Sequence, residues 1–192
     1  MPNSRSGQVK DLVTFVKANG AVAYGTGGIG SVQHLGMESL AAQTGMKLTH
    51  VPFKGASESV QALAAGVVGI AFSSLPSLKP QIDAGRVRVI AVSTPSRVPL
   101  MPEVPTIAES GVPNFDVSVR IGFVLPPGAP QELALRLHGE INKVLSSPEF
   151  QQKISSLSML NIVSTQEQYA EQIRRDTAKY RALIEANHIT VE

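Results

Sequence analysis

Val9, Leu12, Val13 and Val16 are spaced as one buried face of a helix, predicted over Val9–Ala18 with Gly20 just beyond its end. Strand and helix patterns then alternate. Ala21–Tyr24 reads as a strand, Ser31–Thr44 as a helix closed by Gly45, and Lys47–Phe53 as a second strand. Ser57–Ala65 reads as a helix with Ser57 as N-cap and Gly66 past its end, and Val67–Ser73 as a third strand. Pro76–Ala84 is a short helix ending at Gly85, and Arg86–Ser93 a fourth strand. Three strand–helix–strand units in succession imply right-handed crossovers and a largely parallel sheet with helices on both faces, an α/β fold.

The alternation then stops. The stretch from Pro95 to Pro113 also holds Pro99, Pro102 and Pro105, around a short helix at Thr106–Ser110. A strand-like segment, Asp116–Val124, leads to Pro126-Pro-Gly-Ala-Pro130, which reads as a hinge. The remainder is helical. Gln131–Leu145 carries Leu133, Leu137, Ile141 and Val144 on one face, with Pro130 at its first turn. Ser147-Pro148 opens a shorter helix with Phe150, Ile154 and Leu157. Ser164-Thr-Gln-Glu167 reads as a capping box for a last helix whose stripe is Tyr169, Ile173, Tyr180 and Ile184. Three amphipathic helices with little strand material make no obvious core of their own. Their stripes call for another surface, in this lobe or in another chain.

Composition narrows the classes. With 43% hydrophobic and 17% charged residues, the 192-residue chain is an ordinary globular protein. The net charge of +2 is scattered and aromatic content is 5%, so no basic–aromatic platform for nucleic acid is present. Absence of cysteine removes disulfides, thiolate metal sites and Cys nucleophiles. No apolar run reaches the roughly 18 residues of a membrane span. Met1-Pro-Asn-Ser-Arg-Ser-Gly7 has no apolar core of a signal peptide, so the chain as written reads as cytoplasmic.

The chemistry concentrates in Gly25-Thr-Gly-Gly-Ile-Gly-Ser31, between the first strand and its helix. Glycine permits positive φ and close backbone approach, and free amides at the helix start favour an anion. Gly25, Gly27 and Gly30 spell the dinucleotide fingerprint. The acid that should follow the second strand is missing from Thr49-His-Val-Pro-Phe-Lys-Gly55, which argues against a nicotinamide cofactor. No Lys precedes Ser31, so a P-loop is excluded too. A tight turn needed for packing alone is the plain alternative.

Ser31, His34 and Glu38 share a helical face. Ser31 is the expected N-cap; Ser31 with His34 could also be a nucleophile and its base. His50, His138 and His188 lie in separate elements without ligand spacing, so neither a metal nor a cofactor is expected. Arg120, inside Val117-Ser-Val-Arg-Ile-Gly122, is either a solvent-facing strand residue or a bidentate carboxylate clamp. Ser73 and Ser74 end the third strand at the carboxyl edge, where open α/β sheets bind ligands.

Tyr24-Gly-Thr-Gly-Gly-Ile-Gly-Ser-Val-Gln-His-Leu35 resembles the second-lobe ligand loop of tripartite tricarboxylate transporter substrate-binding proteins, the Bug or TctC family. His50-Val-Pro-Phe-Lys-Gly55, Ala84–Val92, Pro102–Gly111 and Gly122-Phe-Val-Leu-Pro-Pro-Gly128 resemble the same family, in the right order. The resemblance implies a periplasmic two-lobed clamshell (type II) that binds a small carboxylate and hands it to a membrane transporter. Residues 8–121 would be the complete second lobe, 122–130 the hinge or crossover, and 131–192 the C-terminal helical part of the first lobe. It further implies ligand contacts from Thr26, Gly27, Gly28, Ile29, Gly30 and Ser31, with His34 beside them. The family's usual Asp-Asn is Ser73-Ser74 here, a usual Tyr is Phe53, and a position often Trp is Arg120. Most of the first lobe has no counterpart in the sequence, which suggests a homo-oligomer covering the exposed helices. A derived cytoplasmic enzyme or accessory protein, with Ser31, His34 and Arg120 as its suspect residues, is the alternative.

Overall fold

A computed structural model describes residues 8–190; Met1–Gly7, read above as lacking a leader, lies outside them, as do Val191 and Glu192. Helix α1 (Val9–Asn19) opens on a reciprocal box between Gln8 and Asp11 and buries Val9 and Val16. Strand β1 (Val22–Thr26), helix α2 (Val32–Thr44), strand β2 (Leu48–Pro52), helix α3 (Ala56–Ala64), strand β3 (Ile70–Ala71) and helix α4 (Leu75–Asp83) follow in alternation. The sheet is parallel, in the order β2–β1–β3. Val22 through Thr26 pair with Leu48 through Pro52, and Tyr24 and Gly25 with Ile70 and Ala71. The two crossovers run in opposite directions across the sheet, so their shared right-handedness carries α2 and α3 to opposite faces.

The central strand shows how the layers close. Tyr24 is wholly buried in a core with Val9, Val16, Met37, Leu40, Met46, Ile107 and Phe115. Its neighbour Gly25 points the other way, where a Cβ would come within 2.6 Å of Ser59 Oγ on α3 and 3.1 Å of Phe53. A large side chain on one face and none on the other lets α3 approach the strand closely.

Several boundaries differ from the sequence reading. Helix α3 starts after Gly55 rather than at Ser57, because Glu58 reaches back to the Lys54 amide at 2.9 Å and Ser59 N–H bonds to Gly55 O. Arg86–Ser93 is not a strand. The amides of Arg86 and Val87 are taken by Gln81 O at the end of α4, and only Val92 pairs, as a single parallel bridge with Thr106. Asp116–Val124 forms no strand either; Val117 is tied to Ser93 at both N–H and C=O, and the rest is extended without a ladder. Thr106–Ser110 is one capped turn, in which Thr106 and Glu109 exchange side-chain-to-amide bonds. The Thr106 amide, then Arg97, holds the Glu109 carboxyl below its ordinary pKa.

The chain forms two compact units, one running to Val119 and taking in the residues from Arg181 on, the other Arg120–Tyr180. The last helix runs from the second unit into the first. The second unit holds α5 (Gln131–Leu145), α6 (Pro148–Ser156) and most of α7 (Gln166–Ala186). Pro130 is the N-cap of α5 rather than a residue of its first turn. The capping box of α7 is made by Thr165 and Gln168, one place beyond Ser164 and Glu167. Gly122 lies against the Tyr169 ring, where a Cβ would not fit. Ile121, Phe123 and Val124 are 75–80% exposed. No helix among the described residues is long and apolar enough to cross a membrane.

Phe115, 2% exposed on an irregular segment just ahead of the stretch read as a strand, fills the core. Phe115→Ala is expected to lower stability by about 3–5 kcal/mol in urea unfolding. Ile121→Ala at an open position should stay within about 0.5 kcal/mol.

Candidate functional site

The Gly25–Ser31 turn sits at the carboxyl end of the central strand. In a sheet ordered β2–β1–β3 the connections diverge there, and such switch points leave a crevice for ligands. Gly28 (φ 127°) and Gly30 (φ 73°) hold positive dihedrals that a side chain resists, while a Cβ on Gly27 would lie 3.0 Å from the Ala56 amide of α3. The glycines thus answer both to backbone conformation and to the approach of α3.

Ser31 is the N-cap of α2, as the pattern predicts. Its Oγ accepts from the His34 amide at 3.2 Å and donates to Gly28 O at 2.7 Å. The amide of Gly28 is held by Thr26 Oγ1, that of Ser31 by Gly28 O, and that of Gly30 by His34 Nδ1 at 3.1 Å. Among the described residues the amides of Gly27, Ile29, Val32 and Gln33 are left without an acceptor, the last two as at any helix start. Four unbonded donors and a helix N-terminus thus fall together within Gly27–Gln33, a set suited to an anion.

Beneath the turn lies a stack that the sequence did not disclose. Tyr24 and His50 are register partners on β1 and β2, with ring centroids 5.0 Å apart. His34 from α2 lies nearly parallel over His50 at 3.9 Å. Tyr24 donates its hydroxyl to Glu38 Oε1 at 2.5 Å, and His34 Nε2 is 3.8 Å from the same oxygen. Thr26 Oγ1 meets His50 Nε2 at 2.6 Å. Burial lowers the pKa of His34 against the opposing pull of Glu38. Burial, then the neighbouring His34, brings His50 down to about 4. Burial, then the bond to Glu38, drives the Tyr24 phenol upward. The stack is therefore uncharged above the histidine range.

The remaining candidates fall in several places. Thr26 is wholly enclosed and His34 7% exposed, so both side chains stand behind the turn, whereas Ile29 is 47% exposed at its rim. Ser31 and His34 are each committed to turn backbone, which is not the pairing of a nucleophile with its base. Ser73, just past β3 on the same sheet edge, has a buried Oγ without a partner, and Ser59 Oγ beneath Gly25 is likewise unsatisfied. Ser74 caps α4 by position and shares a 3.0 Å bond with Ser77. Arg120 belongs to the second unit, and its Nη1 donates to a carboxylate of its own chain, Asp176 Oδ2 on α7, at 2.9 Å. Lys179 and Gln172 also bind Asp176 and, against its burial, hold that acid low. His50 and Ser59 were missed because only strand register and layer packing bring them under the turn; the usable signal was that His50 can lie level with Tyr24.

The sequence profile described as the tripartite tricarboxylate transporter family receptor matches residues 1–189. The chain belongs to this family. A relative in the tcbD–tcbE intergenic region of Pseudomonas sp. strain P51 is 34% identical over 95% of this chain and 55% of its own. BugT of Bordetella pertussis is 28% identical over 91% of the chain and 55% of its own. The chain thus spans about half the length of the curated relatives it matches. Among solved structures, Rpa4515 of R. palustris with adipate superposes with a TM-score of 0.86 at 27% identity, over 98% of this chain and 64% of that one. MatC of Rhodopseudomonas palustris with bound malate shares the fold, at a TM-score of 0.75 and 21% identity. The tripartite tricarboxylate transporter receptors are periplasmic proteins that take small carboxylates.

The histidine stack has a consequence for folding in this receptor-family chain. Unfolded histidine titrates near 6.5, and both folded values lie lower, so the unfolded chain binds more protons in between. The stability from keeping the rings neutral is complete above that range and is lost as pH falls from about 6.5 toward 4. Glu109 and Asp176, held low, add a loss of the same sign that starts near their ordinary values of 4.5 and 3.8, at the acid end of that window and below it. Melting followed by circular dichroism should show the fall, and His50→Gln should flatten it.

Proposed function

We propose that the Gly25–Ser31 turn of this chain binds a small carboxylate as a jaw of a solute receptor. The observation that carries the reading is the set of unspent amides of Gly27, Ile29, Val32 and Gln33 at the sheet's switch point, above an uncharged stack. The family's carboxylate-bound structures support the same ligand class. Thr26 and His34 support the turn from behind, while Ser73, with its buried and unpartnered Oγ, and Ser74 follow β3 at the same sheet edge. Delivery to a membrane transporter component in the periplasm is part of this proposal. No metal or cofactor has a role in it.

Calorimetry against acetate, adipate, malate and citrate tests the reading, with saturable binding of at least one expected. Val32→Pro removes one amide at the first helical position, where proline is tolerated and the extended Ser31 before it is compatible. It should weaken binding about tenfold, the worth of one charge-assisted bond. A folded sample that binds none of the four overturns the assignment.

Self-association is a second part of the reading, favoured by the open apolar run of Ile121, Phe123 and Val124. Sedimentation should show mass rising with concentration in the micromolar range; a single monomeric species there would remove it.

A further inference from the structure

We infer that His34 is a positioning residue that holds the Gly25–Ser31 turn through the Gly30 amide and releases it when its ring is protonated. That release weakens ligand binding rests on the carboxylate reading above; the geometry of the turn does not.

The argument begins with the proton count. His34 Nδ1 accepts the Gly30 N–H at 3.1 Å, and a ring nitrogen that accepts carries no proton. The single proton of the neutral ring is then on Nε2, the atom 3.8 Å from Glu38 Oε1. A second proton must go to Nδ1, which sets two N–H groups against each other and leaves the Gly30 amide without an acceptor. Gly30 is in the left-handed region at φ 73°, so that bond is part of what keeps the turn in an unusual conformation.

The ring has little freedom to escape. It lies 11° from parallel with His50 at 3.9 Å, with Tyr24 at 6.4 Å, and is 7% exposed. The titratable groups around it are Tyr24 from β1, His50 from β2 and Glu38 from α2. Tyr24 is engaged as a donor to Glu38, and His50 meets Thr26. Glu38 favours the protonated ring, whereas burial disfavours it and prevails, in keeping with a ring that is an acceptor near neutrality. The same helix start that receives the turn carries its capping serine, since the His34 amide bonds to Ser31 Oγ. Movement of His34 therefore acts on both ends of Gly30-Ser31.

Nuclear magnetic resonance of the His34 ring nitrogens and the Gly30 amide between pH 7.5 and 4.5 tests this without any ligand. The expected result is an unprotonated Nδ1 at pH 7.5. The Gly30 amide shift should follow the His34 titration, its exchange protection falling about tenfold as one hydrogen bond is lost. His34→Asn places a non-titrating acceptor near the Nδ1 position and should abolish that titration while keeping protection. His34→Leu should lose protection at every pH. A Gly30 amide indifferent to pH in the unaltered protein, or titrating unchanged in His34→Asn, overturns the inference. Calorimetry with adipate across the same range should show about tenfold weaker binding at the acid end, with His34→Asn resisting the change. Absence of binding by adipate, acetate, malate and citrate at all pH values counts against the carboxylate reading alone, because the amide measurement still decides the role of His34.

Discussion

The close approach of α3 to the central strand is the constraint on which the rest depends. It requires a residue without a Cβ at Gly25, where Ser59 Oγ occupies the space a side chain would need, and a second one at Gly27, over the Ala56 amide. Strand alternation then sends Tyr24 wholly into the opposite face, where it anchors the principal core and reaches Glu38. One two-residue step thus sets the spacing of both layers. The turn that follows inherits its position from that step.

The site is built from supports more than from reacting groups. Ser31, Thr26 and His34 each spend polar atoms on backbone within the turn, and Thr26 and His34 also face the stack and Glu38 beneath it. What remains directed outward is peptide N–H, which is fixed by the fold and indifferent to ligand identity beyond charge and shape. Such a surface is pre-organised: under the proposed reading, its donors need no ordering to meet an anion. Neutrality of the stack below also matters, since a protonated histidine there would turn an N–H toward amides that can only donate.

Local signals carried much of the fold. The stripe of Val9 and Val16, the cap at Ser31 and the left-handed Gly45 are features of contiguous residues, and each stands where the pattern put it. Parallel pairing and the α/β class followed from alternation alone. Arg86–Ser93 and Asp116–Val124 show the limit. Their alternation reports which side of an extended chain is covered, but a ladder needs a partner of matching register, and that depends on distant residues. Val92 and Val117 found single attachments instead of strands. His50 is the same limit seen at the site, a residue without local spacing that becomes central once β2 is set beside β1.

Ile29 stands apart from this rigidity. It projects from the rim of the turn while its neighbours are fixed by glycine geometry, by the cap or by the stack. The architecture therefore divides into a frozen floor, where nearly any substitution is felt by two layers, and a lip on which one side chain can be exchanged at little cost to folding. A change at Ile29 thus alters the lip of the turn while leaving the layers beneath it in place.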